Sequence, residues 1–195
     1  MKKEERALRQ EIIDQARWMN ASGLNQGTSG NISARHGDRM LITPSATPYD
    51  AMEPEMIASM PIESDYGTWE GPLKPSTEWR FHLDIQRARP EVGAVVHIHS
   101  TFGTRELSDH ALVALQGRTG CLLANHGMIA TGATLAKAMW LAVELETIAK
   151  QYYLTLPIGG PNLLSEAAIA DTAKSFGSYG LQDGPKKAKK AKAGA

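Results

Sequence analysis

The stretch Val92-Gly93-Ala94-Val95-Val96-His97-Ile98-His99 decides how this chain is read. Val92, Ala94, Val96 and Ile98 fall on one side of an extended strand, and Gly93, Val95, His97 and His99 fall on the other. One face is apolar and the other carries chemistry. Imidazoles at i and i+2 share a face, roughly 6–7 Å apart along the chain. Metal–nitrogen bonds of about 2.0 Å let both rings converge on one small cation. By itself the pair is equally compatible with two surface or hydrogen-bonded core histidines.

Upstream of this strand, Ser76 or Thr77 caps a helix that runs to about Ala88 and closes before Pro90. Glu78 falls in its first turn, where the helix dipole favours a carboxylate and free N–H groups attract phosphate. The commoner meaning of an acid there is a cap. Downstream, Thr104 to Gln116 reads as a helix, and Cys121 to Ala130 as one apolar, buried strand carrying Asn125-His126-Gly127. His126, beside a glycine, is a candidate third ligand; alone it reads as a structural histidine. Helices over Thr134 to about Leu154 and Ser165 to about Phe176 follow.

The N-terminal part begins with an amphipathic helix over residues 5–22, with Leu8, Ile12, Ala16 and Met19 at helical spacing. Ser22-Gly23 stops it. A Gly-rich turn then leads into a hairpin of Ile32 to Arg35 and Met40 to Thr43, turning at His36-Gly37-Asp38. Pro44 to Glu55 reads as a loop and Met56 to Ile62 as a strand. Thr28-Ser29-Gly30-Asn31 can wrap a phosphate with hydroxyls, an amide and backbone N–H groups, although a tight turn is the commoner use. No GK[ST] or GxGxxG is present, so this is neither a Walker loop nor a dinucleotide fingerprint. His36, His82 and His110 carry no assigned role.

The chain has 195 residues, of which 42% are hydrophobic and 22% charged, with 18 Gly and 10 Pro. That composition suits one globular domain and excludes wholesale disorder, collagen and coiled coil. No apolar run approaches the ~18 residues of a membrane span, and the N-terminus lacks a signal-peptide core, so the expected location is cytoplasmic, with no membrane partner. The single cysteine, Cys121, makes no intrachain disulfide. Five lysines in residues 185–195 mask an acidic body, since without them 16 basic residues face 21 acidic ones. A nucleic-acid partner is therefore not expected. The domain is taken as residues 1–184, and residues 185–195 as a disordered, solvated Lys/Ala tail.

Five motifs occur in order: Gly30-Asn31-Ile32-Ser33, Leu41-Ile42-Thr43-Pro44-Ser45, Pro75-Ser76-Thr77-Glu78-Trp79-Arg80-Phe81-His82, Val95-Val96-His97-Ile98-His99 and Leu122-Leu123-Ala124-Asn125-His126-Gly127. Together they resemble the class II aldolase/adducin family, particularly its fuculose-phosphate aldolase-like members, over about residues 8–183. The resemblance implies a three-layer α/β/α domain with a central mixed, largely antiparallel sheet. It implies a homotetramer with active sites at subunit interfaces. His97, His99 and His126 match zinc ligands, with Mn²⁺ or Co²⁺ able to substitute. Glu78 matches a residue that ligates the metal at rest and serves as acid/base.

Thr28, Gly30-Asn31, Ser45-Ala46 and Ser76-Thr77 would hold the substrate phosphate, and Tyr179 matches a C-terminal catalytic tyrosine. Ala46 stands where relatives often have glycine. Relatives also carry a few tens of residues between the equivalents of Ser100 and Thr101, including a second catalytic tyrosine; intact flanking motifs favour an omitted segment over a true deletion. The implied reaction is reversible cleavage of a ketose 1-phosphate to dihydroxyacetone phosphate and an aldehyde. L-Fuculose 1-phosphate and 5-deoxy- or 5-methylthio-ribulose 1-phosphate are the candidate substrates. The alternatives within the fold are a methylthioribulose-1-phosphate dehydratase, a sugar-acid phosphate decarboxylase and a 4-epimerase, the last carrying Asp where Glu78 stands. A non-catalytic adducin-like interaction module is the alternative of another class, and it needs no metal triad.

Overall fold

A computed structural model describes residues 1–99, 105–124 and 126–176, apart from the side chains of residues 99, 105–107, 175 and 176. The chain divides into two bodies, residues 1–153 and 154–195. The first is built on α1 (Lys3–Ala21), β1 (Asn31–His36), β2 (Arg39–Ile42), β3 (Ala58–Pro61), α2 (Trp79–Ala88), β4 (Ala94–His99), α3 (Arg105–Ala114), β5 (Gly120–Leu123), β6 (Gly127–Gly132) and most of α4 (Leu135–Thr155). The second holds a 3-10 turn, Leu156–Ile158, and α5 (Glu166–Phe176). The expected tail, residues 185–195, and Tyr179 lie outside the described residues.

The six strands form one sheet in the order β3-β2-β1-β4-β6-β5. Every pairing among the described strands is antiparallel, so the mixed component of the expected sheet is not found there. Alternation sends successive residues to opposite faces. Ile32 and Ala34 of β1, Val96 and Ile98 of β4 and Met128 and Ala130 of β6 pack with Ile12, Ile13, Ala16 and Met19 of α1 and Ala138, Met139 and Ala142 of α4. On the other face Val95 and Ile129 meet Phe81 and Ile85 of α2 and Ala111 and Leu115 of α3. Met40, Ile42, Ala58 and Met60 meet Leu83 there. These are the expected α/β/α layers. Each fully buried aliphatic side chain contributes on the order of 1.5–3 kcal/mol.

Three expectations change in detail. The run Cys121 to Ala130 is a hairpin of β5 and β6 rather than one buried strand, with Leu123 opposite Gly127. The His126 N–H donates to the Leu123 carbonyl at 3.1 Å, and Gly127 takes φ +154°, a value an L side chain rarely adopts. Turn chemistry at His126-Gly127 outweighs the apolar run, and Leu122 on β5 is 62% exposed. Next, α2 starts at Trp79, so Glu78 is its N-cap residue and not a member of the first turn. Lastly, Val92 precedes β4 and packs with Phe81 and Ile85, opposite the face that alternation alone gives it.

Candidate active site

The β4 register fixes the first ligand. His97 pairs across the ladders with Asn31 on one side and Ile129 on the other, and it is fully buried. Its Nδ1 lies 2.7 Å from the Met128 carbonyl oxygen. A carbonyl only accepts, so Nδ1 holds the proton, and a neutral ring then has its lone pair on Nε2. That lone pair faces Glu78 Oε2 at 3.3 Å. His126 Nε2 lies 3.0 Å from Glu78 Oε1, and the His97 and His126 rings meet edge to face at 5.0 Å. Ligand atoms of Glu78, His97 and His126 all fall within 4.8 Å of one another.

An imidazole lone pair set against a carboxylate oxygen is favourable only with a cation or a proton between them. Two nitrogens and a carboxylate oxygen, nearly closed to water, make a donor set that fits a divalent cation such as zinc. The site residues therefore fit the metal expected from the sequence. Glu78, His97 and His126 come together as expected. His99 ends β4, and its side chain lies outside the described residues.

Glu78 is delivered by the turn before α2. The Glu78 N–H donates to Ser76 Oγ at 3.3 Å, and the Trp79 N–H donates to the Ser76 carbonyl at 3.0 Å. The Glu78 carboxylate makes no cap bond to its own helix. Instead Asn31 Nδ2 donates to Oε2 at 2.8 Å, and the side chain is only 9% exposed. The local reading of Glu78 as a helix cap is thereby replaced. The same Asn31 amide receives a contact from His82 Nε2 at 2.5 Å, while His82 Nδ1 meets Ser33 Oγ at 2.8 Å. His82 is fully buried; desolvation first, and then the neighbouring His97, push its pKa down to about 3 against the pull of Glu78. Reading the sequence assigned His82 no role. Its spacing was the available signal, since a residue four after Glu78 lies on the same helix face.

The expected phosphate segments converge beside this corner. Pro44 bridges Pro75, the Ser45 N–H donates to the Lys74 carbonyl at 3.0 Å, and the Ser76 N–H donates to the Thr43 carbonyl at 2.9 Å. These bonds set Ser45-Ala46 next to Ser76-Thr77 and engage two of the backbone donors expected for phosphate. Thr43 is tied in turn to β1, its Oγ1 accepting from the Ile32 N–H at 3.2 Å. Gly30 is required by space, since a Cβ there would lie 2.8 Å from Asn25 Oδ1 and 3.0 Å from the His97 carbonyl oxygen. Ala46 sits at φ +51°, the left-handed conformation that glycine adopts at least cost. Thr28 and Thr77 are exposed, as a ligand-facing hydroxyl requires, whereas the Asn31 side chain is buried and engaged by Glu78 and His82. Tyr49 braces the loop by donating to the Gly30 carbonyl at 2.5 Å; burial raises its pKa to about 12. A cavity of about 610 Å³ opens beside His126, walled by Leu24, Ile98, Leu122, Leu123 and Met128, with Asn25, Gln26 and Glu146 at its polar side.

The class II aldolase and adducin N-terminal domain family model matches residues 10–105 and 100–153. The chain belongs to that family. It is 44% identical to a 5-methylthioribulose-1-phosphate/5-deoxyribulose-1-phosphate aldolase of Rhodospirillum rubrum, with 89% of this chain and 93% of the relative covered. It is 39% identical to an L-fuculose phosphate aldolase of Escherichia coli K12, with 92% and 98% covered. Among solved structures, an L-fuculose 1-phosphate aldolase superimposes with a TM-score of 0.80 at 28% identity, covering 86% of this chain and 95% of the other. The alignment to the Rhodospirillum protein runs over 208 positions, more than this chain's 195 residues, so that relative carries residues with no counterpart here. The two family matches meet at residues 100–105, where the sequence reading expects them.

Proposed function

We propose that the protein is a metal-dependent aldolase that reversibly cleaves a ketose 1-phosphate into dihydroxyacetone phosphate and an aldehyde. The observation that carries this reading is the buried cluster of Glu78, His97 and His126, set beside the converging loops of Gly30, Ser45 and Ser76. A divalent cation held by these side chains, with His99 as a further ligand, supplies Lewis-acid polarisation of the substrate's oxygens. Thr28, Gly30, Asn31 through its backbone, Ser45, Ala46, Ser76 and Thr77 hold the phosphate and so orient the reacting end. Glu78 moves the proton at the carbon that gains it once the carbon–carbon bond has broken. Tyr179 positions the oxygen that becomes the aldehyde carbonyl, takes the hydroxyl proton from it in cleavage and returns that proton in the condensation direction. Zinc is the favoured metal because imidazole nitrogen and carboxylate oxygen suit it, and Mn²⁺ or Co²⁺ can replace it.

The aldehyde side is proposed to be short and apolar. The cavity beside His126 sets Leu24, Ile98, Leu122, Leu123 and Met128 together with Asn25, Gln26 and Glu146, and its apolar residues can take a methyl or methylthio end. The Rhodospirillum relative, whose name covers both 5-deoxy and 5-methylthio substrates, points the same way. A homotetramer with sites at subunit interfaces is proposed as well. In support, α4 exposes Ile148, Tyr152 and Tyr153 at 59%, 52% and 70%. A cytoplasmic location is proposed, and no helix among the described residues is long and apolar enough to cross a membrane.

The test is release of dihydroxyacetone phosphate from a panel of ketose 1-phosphates by zinc-loaded protein. Release is expected, fastest from the 5-deoxy and 5-methylthio members. Silence across the panel with zinc bound would overturn the aldolase reading and move the assignment to the dehydratase, decarboxylase or epimerase chemistry of the same fold.

A further inference from the structure

Two stripes of polar side chains interleave beneath the metal ligands. Asn31 and Ser33 stand at i and i+2 on β1, so both face α2. Glu78, His82 and Gln86 stand four residues apart along α2 and its N-cap, so all three face β1. Their contacts zigzag between the stripes. Gln86 Nε2 donates to Ser33 Oγ at 3.0 Å, and Ser33 Oγ meets His82 Nδ1 at 2.8 Å. His82 Nε2 meets Asn31 Oδ1 at 2.5 Å, and Asn31 Nδ2 donates to Glu78 Oε2 at 2.8 Å. Ser33, His82, Gln86 and Asn31 are all buried, between 0% and 3% exposed.

The directions in this row follow from its Glu78 end: a carboxylate accepts, so Asn31 presents its N–H to Glu78 and its Oδ1 to His82, whose Nε2 must donate. An amide nitrogen has protons to give and no lone pair to offer, so Gln86 donates and Ser33 accepts. With the His82 proton on Nε2, Nδ1 accepts, and the single Ser33 proton goes to it. A neutral imidazole with Nδ1 accepting carries its proton on Nε2, and that proton goes to Asn31 Oδ1. With its oxygen held, the Asn31 amide presents N–H to the carboxylate. If the His82 proton sat on Nδ1, its Nε2 lone pair would face Asn31 Oδ1, and the half-turn of the amide that relieves this would set Asn31 Oδ1 against Glu78 Oε2, oxygen against oxygen.

We infer that His82 is a positioning residue for the reaction, which locks the Asn31 amide in the one orientation that gives Glu78 a hydrogen-bond donor. The row thereby assigns the two Glu78 oxygens, Oε2 to Asn31 and Oε1 to His126. A group that must hold a cation and also move a proton depends on such orientation, and outer partners of this kind typically matter by about 10- to 100-fold.

The inference rests on the aldolase reading, so its test includes a readout that needs no turnover. Nitrogen-15 NMR of zinc-loaded protein is expected to place the His82 proton on Nε2. In the kinetic arm, His82→Leu is expected to lower kcat about 10- to 100-fold, with KM for the phosphosugar within about twofold. His82→Gln, whose amide can still donate to Asn31, is expected to recover most of that loss. Circular dichroism confirms that each variant is folded, and Ser33→Ala, a smaller change one link away, stands in if His82→Leu is not; it is expected to lower kcat several-fold. A His82 proton on Nδ1 would overturn the inference. So would a folded His82→Leu within about twofold of the parent, or His82→Gln no better than His82→Leu. If no ketose phosphate is cleaved at all, the aldolase reading falls, while the NMR still decides the tautomer.

Discussion

The two faces of the sheet are made from alternate residues of the same strands, yet they answer to different physics. The face toward α1 and α4 is held by Ile12, Ile13, Ile32, Val96 and Met128, whose contacts have no direction. The face toward α2 carries Asn31, Ser33 and His97, which with His82 and Gln86 of α2 are buried and each have a partner that must be met at the right atom. Hydrophobic burial tolerates exchange of shape, with a cost in stability. A buried polar row tolerates little, because one wrong atom leaves a donor or acceptor unmet. The strand period thus confines the directional contacts to one face, where they sit among the apolar clusters around Val95, Ile129 and Met40.

The first way to break that comparison has the largest effect. Glu78→Gln, loaded with metal, should lose about 10²- to 10⁴-fold in kcat while keeping its thermal midpoint; parent-like cleavage by this variant would remove Glu78 from the proton-transfer role. On the other face, Ile12→Ala should lower unfolding stability by about 2–5 kcal/mol in urea titration and leave kcat per folded molecule unchanged. Should kcat fall as steeply as stability, the two faces would not be independent.

A pH series sharpens the contrast. His82 stays neutral in the fold with a pKa near 3, whereas in the unfolded chain it takes up a proton near 6.5. Below about pH 6.5 the unfolded state therefore binds the extra proton. Stability is complete above that value and drops as pH falls toward 3, at up to about 1.4 kcal/mol per pH unit. His82→Gln should flatten this slope in urea midpoints taken between about pH 7 and about pH 5; an unchanged slope would mean that other groups carry it. The smallest effect belongs to the loop beside the site. Ala46→Gly should stabilise by roughly 1 kcal/mol by relieving φ +51°, read as a small rise in thermal midpoint. A fall would mean that the methyl group makes contacts worth more than the strain.

The same contrast explains what could be read in advance. Strand alternation over Ala94 to His99 placed His97 correctly, and the ordered motifs placed Glu78 and His126 in one cluster with it. Helix ends and apolar stripes came within a few residues because burial follows periodicity. The hairpin at His126 was missed because an apolar run looks the same whether or not it folds back on itself. His82 was missed because its one local mark, the four-residue spacing from Glu78, says nothing of a partner 51 residues away on a strand. Directional partners at long sequence separation leave little trace in composition or spacing. Local reading reached the helix start at Ser76, and only the family resemblance reached the loop around Ser45.

The antiparallel register sets Asn31 directly opposite His97. The residue that holds the Glu78 carboxylate and a histidine of the candidate metal cluster are thus neighbours through one rung of backbone. A slip of one residue in this pairing would turn one of the two toward α1 and α4, and the other would stay behind without its partner. The enzyme accordingly has no way to be mispaired and active together. Turnover counts only molecules whose strands have joined correctly, which makes the reaction a quality check on the protein's own folding.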